Sequence, residues 1–131
     1  MTGPRNFDDP RNKLYLAVIE MVKQYSPKGF VIENVPGMAT MYKGQVKDEV
    51  LKRFTEMGYN VDCRILKACD YGVPQMRKRL VFMGVRKDIG EPHFPEATFG
   101  PETQKPYRTC RDAISDLPKR INDLGKMKMN M

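Results

Sequence analysis

Two short segments of this chain hold the residue types that chemistry needs. The first is Phe30-Val31-Ile32-Glu33-Asn34-Val35-Pro36, where an acid and an amide follow directly on a β-branched apolar run. In parallel α/β sheets ligands sit beyond the carboxyl ends of the strands, so a carboxylate placed there faces a cleft. Desolvation next to a buried strand favours its neutral, proton-donating form. The competing reading makes Glu33 a cap for the following turn or the partner of a surface lysine. The second segment is Tyr71-Gly72-Val73-Pro74-Gln75-Met76-Arg77-Lys78-Arg79. Where it enters a strand, Arg77 and Arg79 alternate onto one side and Lys78 points away. Two guanidiniums on one face can grip a phosphate or a base carbonyl. A basic edge strand guarded against aggregation would carry the same residues.

Positioning these groups falls to the flanking elements. Asp9-Pro10 reads as an N-cap and a first-turn proline, opening a helix over 10–25 whose Leu14, Val18, Ile19, Val22 and Tyr25 share one face. Phe30-Val31-Ile32 suits a strand buried on both faces. A second amphipathic helix over 43–58 turns Val46, Val50, Leu51, Phe54 and Met57 inward and closes at Gly58. Strands follow over 59–67 and 79–86, separated by a turn through Asp70-Tyr71-Gly72-Val73-Pro74. From Asp88 onward proline and polar residues dominate, with one short helix over 111–117. Helix, strand, helix, strand, strand is the order of the later half of a doubly wound α/β domain. No strand is followed by a glycine-rich turn, so neither a dinucleotide fingerprint nor a phosphate loop is present.

The 131 residues suit one small domain or part of a larger one, and they contain no transmembrane run and no apolar leader. Lys and Arg number 23 against 16 Asp and Glu, and the net charge of +7 favours anionic partners, nucleic acid first. Cys63, Cys69 and Cys110 form no even framework, which fits a reduced, cytosolic chain. Cys63 and Cys69 are not followed by a second ligand pair, so no metal site is expected, and the three read as small buried thiols. His93 reads as a loop residue, and Phe99 and Tyr107 as loop anchors before base-stacking rings.

Asp9-Pro10-Arg11-Asn12-Lys13-Leu14, Glu33-Asn34-Val35 and the Tyr71–Arg79 segment stand in the order and spacing of consecutive signature blocks. Through them, and through Asp112-Ala113-Ile114-Ser115-Asp116-Leu117-Pro118, the chain resembles the cytosine-5 DNA methyltransferases. The resemblance implies the later half of a Rossmann-like, S-adenosylmethionine-dependent methyltransferase domain, a mixed sheet with an antiparallel last strand. Residues 1–90 would be a partial catalytic domain and 91–131 an extended linker toward a target-recognition domain. The implied partner is double-stranded DNA with a flipped cytosine. Glu33 would bond N3 and the exocyclic amine of that base, and Asn34 would hold the nucleophile's loop. Arg79 would bind the cytosine O2 with Arg77 assisting, Leu14 would line the cofactor's adenine pocket, and Arg5 would join both arginines on nucleic acid.

The family's nucleophile is a Pro-Cys-Gln cysteine, expected upstream of Met1 together with the glycine-rich cofactor block; none of Cys63, Cys69 and Cys110 follows a proline. The isolated chain is therefore expected to be inactive and to bind S-adenosylmethionine weakly. It is also expected to self-associate through exposed edges. The alternatives are one subunit of a split methyltransferase, completed by a complementary chain, and a non-catalytic nucleic-acid-binding module. A relative acting on RNA is a further one. The implied setting is cytoplasmic, of bacterial or phage type, close to the nucleoid and within restriction-modification.

Overall fold

The computed structural model describes residues 14–117. They form α1 (Leu14–Tyr25), β1 (Gly29–Asn34), α2 (Gln45–Glu56), β2 (Tyr59–Lys67), β3 (Lys78–Arg86) and α3 (Cys110–Ile114), with 3-10 turns at Pro36–Ala39, Met41–Gly44 and Ala68–Tyr71. Contacts group the described residues into two units, 14–67 with 77–96 and 68–76 with 97–117.

In the first unit the helical spacing of the sequence becomes packing. Ile19 and Val22 of α1 and Val46, Val50 and Phe54 of α2 are buried in one cluster with Tyr59, Leu80 and Phe82 of the sheet. Helix α1 ends at Tyr25, as its periodicity predicts, but Tyr25 itself is 70% exposed because α1 buries nothing after Val22. The expected cap at Asp9-Pro10 lies outside the described residues. Helix α2 begins two residues later than expected. Tyr42 and Lys43 have positive φ of 50° and 58°, and Gly44 at 88° serves as the N-cap, so none of the three can join a right-handed helix. At the other end Gly58 takes φ 92° and its N–H donates to the Thr55 carbonyl at 3.1 Å.

The strands lie in the order β1-β3-β2, and both pairs are antiparallel. β1 and β2 therefore run in one direction with the reversed last strand between them, as the α/β reading requires. One face of this sheet meets both helices. On it lie Phe30 and Ile32, Leu80, Phe82 and Gly84, and Tyr59, Val61 and Cys63. The other face corrects the expectation for β1. That strand alternates in burial and leaves Val31 65% exposed, since no second layer covers it among the described residues. On the β2 side the chain after β3 does return to the sheet. Asn60 donates to the Gly90 carbonyl at 2.9 Å, and Phe94 is buried with the Arg64 guanidinium 4.9 Å from its ring centre.

One close approach governs how β1 seats on β3. Phe30 stands opposite Gly84, and its ring occupies the space a side chain there would need. The ring then packs on Phe54 at 4.4 Å and edge-on to Tyr59 at 5.2 Å, centroid to centroid. Tyr59 in turn donates its hydroxyl to the Pro27 carbonyl at 2.7 Å, tying the entry of β1 to β2.

The second unit is organised by Asp70. Its carbonyl accepts from the N–H groups of Thr98 at 2.9 Å and Phe99 at 3.0 Å, and its carboxylate accepts from the Tyr107 hydroxyl at 3.0 Å. Phe99 and Tyr107 are thus loop anchors, as expected. Helix α3 is shorter than the expected 111–117 and starts from a capping box between Thr109 and Asp112. Its first residue, Cys110, corrects the buried-thiol expectation. It is exposed, since no residue of α3 is buried, and its thiol donates to the Pro74 carbonyl at 3.5 Å.

Two outcomes follow from this packing. Gly84→Ala should lower stability by about 1–3 kcal/mol, because Phe30 must leave its place between Phe54 and Tyr59; urea unfolding at an unchanged midpoint would refute it. The hydrogen bond to Asp70, with partial desolvation, holds the Tyr107 phenol above its ordinary value of 10.0. A raised acid contributes stability that is complete below its unfolded value and is lost as pH rises through its folded one. Alkaline unfolding of the second unit should therefore be blunted in Tyr107→Phe, and tyrosine ring-carbon NMR should show a late-ionising phenol that this variant removes.

Candidate functional site

The β1–β3 register brings the two chemistry-bearing segments together. Glu33 pairs with Val81, so Arg79, two residues earlier on β3, lies diagonally across on the same face. There its Nε forms an ion pair with Glu33 Oε1, while its Nη1 donates to the Lys78 carbonyl at 3.1 Å. Glu33 thus meets an arginine of the second segment, not the surface lysine of the alternative reading. The expected desolvation is absent. The Glu33 side chain is 57% exposed and that of Arg79 is 26% exposed, because β1 is covered on its other face only. A pair this open adds at most about 1 kcal/mol to stability, so its worth is in orientation.

Asn34 turns to the opposite face and is half-buried. Its Oδ1 accepts from the Val35 N–H at 2.8 Å, which bends the chain out of β1 into the turn at Pro36–Ala39. Beside it opens a cleft of about 210 Å³, floored by Ile32, Val50, Phe54 and Phe82 and walled by Tyr15, Val18 and Met38, with Glu33 and Asn34 also lining it. Burial pushes the Tyr15 phenol up, and the neighbouring Glu49 adds to this while Arg53 opposes it.

Arg77 precedes β3 and is exposed, and no ion pair joins it to Glu33. β3 is the central strand, but Lys78 and Arg79 lie beyond its pairing with β1, so among the described residues this end keeps an open edge on that side and the reading as a guarded edge stands. Arg5 lies outside the described residues, and of Leu14 only its place at the start of α1 is described. Burial raises the Cys63 thiol and so disfavours a thiolate, and Cys69 is buried. Among the described residues no His, Cys, Asp and Glu cluster could hold a metal, and no helix is long and apolar enough to cross a membrane. Sequence reasoning missed the cleft walls, Tyr15 and Met38 above all. Tyr15 adjoins Leu14, which is the one signal that pointed there; apolar spacing alone does not separate a cleft wall from a core.

The chain has known relatives. The family model for C-5 cytosine-specific DNA methylases matches residues 2–130. The chain is 49% identical over 117 residues to the Type II methyltransferase M.BsuRI of Bacillus subtilis, covering 88% of this chain and 27% of that protein. It is 47% identical over 117 residues to M.BspRI of Lysinibacillus sphaericus, covering 88% and 28%. A prophage-encoded E. coli protein assigned as a DNA modification methyltransferase superposes with a TM-score of 0.67 at 31% identity, over 87% of this chain and 32% of that one. The S. pombe Dnmt2 methyltransferase shares the fold at a TM-score of 0.52 and 23% identity, over 70% of this chain and 28% of that one. The α/β unit described above is therefore part of a Rossmann-like methyltransferase domain, and the chain spans little more than a quarter of these two curated relatives. On the match over residues 2–130, this chain belongs to the C-5 cytosine-specific DNA methylase family.

Proposed function

We propose that this chain forms the cytosine-recognising side of a DNA cytosine-5 methyltransferase of a restriction-modification type. The observation that carries the reading is the ion pair of Glu33 and Arg79 at the carboxyl end of β1, where a ligand of an α/β sheet is bound. A carboxylate and a guanidinium side by side complement the edge of a cytosine. Glu33 takes N3 and the exocyclic amine, Arg79 takes O2, and Arg77 assists from the approach to β3. A base flipped onto the pair covers Glu33 and supplies the desolvation that proton donation needs. Thiolate addition at C6 pushes an electron pair into the ring, and a proton held by Glu33 at N3 receives it. The thiolate belongs to a Pro-Cys-Gln cysteine, which none of Cys63, Cys69 and Cys110 is. Asn34 shapes the turn against which that cysteine's loop rests.

S-adenosylmethionine, when bound, supplies the methyl group that C5 receives. The residues here fit one part of it only. The apolar cleft beside Asn34 suits a flat ring, with Leu14 assigned to the adenine, whereas no glycine-rich turn is present for the rest. Residues 91–131 lead toward a target-recognition region. With S-adenosylmethionine and unmethylated duplex DNA the chain by itself should transfer no methyl group. Mixed with a chain carrying the Pro-Cys-Gln half it should do so, and Glu33→Gln should cut that restored rate by about a hundredfold or more. Turnover by the chain alone, or full restored activity of Glu33→Gln, would sink the reading.

The exposed Val31 and the edge of β1, unpaired among the described residues, favour a partner for this chain, a complementary subunit or a second copy. Light scattering at micromolar concentration should show self-association that Val31→Lys reduces, and a monomeric mass for the unaltered chain would count against it.

A further inference from the structure

β3 overruns β1 at the end where Glu33 and Asn34 stand. Its pairing with β1 stops at Asn34 and Leu80, while its pairing with β2 continues through Leu66 and Arg79 to Lys67 and Lys78. Lys67 and Lys78 are thus direct cross-strand neighbours on one face, with Cβ atoms about 4.5–5.5 Å apart, and alternation puts Arg79 on the other. Like charges in that relation oppose strand pairing, so the sheet does not gain from them. Arg53, Arg64, Arg79 and Arg86 each hold a carboxylate. Among the described residues Lys67, Lys78 and the adjoining Arg77 hold none.

We infer that Lys67 and Lys78 form a contact site for the phosphate backbone of a DNA strand, at the same strand end as Glu33 and Arg79. An anion between Lys67 and Lys78 turns their mutual repulsion into shared attraction, which is the condition under which such a pair is favourable. The excess of 23 basic over 16 acidic residues favours a polyanion over a single small ion. The inference rests on DNA being the substrate and not on methyl transfer.

The test is fluorescence anisotropy of a labelled DNA duplex titrated with the full chain over a range of salt. Each lost phosphate contact lowers the slope of log affinity against log salt by about 0.9. Lys78→Gln should therefore lower it by about one and Lys67→Gln with Lys78→Gln by about two, with weaker binding, whereas Lys23→Gln at the end of α1 should match the unaltered chain. Relief of repulsion should leave the double variant at least as stable as the original by urea unfolding, which separates lost contacts from lost fold. An unchanged slope in the double variant overturns the inference, as does the absence of salt-dependent binding by the original chain. Displacement of the duplex by inorganic phosphate at constant ionic strength also overturns it, since it would mark a free-anion site. A lowered slope together with no methyl transfer in the completed enzyme would sink the catalytic reading and leave this one standing.

Discussion

The seating of the Phe30 ring over Gly84 is the constraint on which the site depends. A strand can pair with its neighbour in many registers, and a slip of one residue exchanges its two faces. Here one ring, held between Phe54 and Tyr59, fits where the central strand has no side chain. With Phe30 fixed on Gly84, Glu33 must fall on Val81, and Arg79 must lie diagonally across from it. A slip by one would put Glu33 against the apolar core and Ile32 in solvent. The packing of a few rings thereby sets the position of a carboxylate several residues away.

The same register divides the polar groups at this end of the sheet between its two faces. Glu33 and Arg79 stand on the uncovered face, while Asn34 turns toward the helices and the apolar cleft. Lys67 and Lys78 share the face that Arg79 leaves. Simple alternation along β1, β2 and β3 thus sets the ion pair on one face and the cleft and the lysine pair on the other, within one strand end.

Exposure has the same origin. Val31 and Glu33 are open because, among the described residues, the first unit carries helices on one side of its sheet only. In a chain spanning little more than a quarter of its curated relatives, a face and a strand edge left open among the described residues are surfaces on which further structure can act. An open ion pair is also readily shielded by whatever comes to cover it.

Much of this was legible in the residues alone, and the reason is periodicity. Val46, Val50 and Phe54 recur at a helical interval, so their burial follows from any sheet placed beneath them. Gly58 marks the end of α2 because it alone there enters the left-handed region without strain. Glu33-Asn34-Val35 and the Tyr71–Arg79 segment were recognisable by order and spacing, and so was their family. Tyr25 fitted its helical face yet lies in solvent, and Phe30-Val31-Ile32 suggested two covered faces where one is open. An apolar run shows that a residue can be buried, not that a second layer exists to bury it. The partner of Glu33, the repulsive pairing of Lys67 with Lys78 and the cleft at Tyr15 were decided by tertiary structure. Each depends on the register between strands distant in sequence, which is a property of the packed sheet and of no single segment.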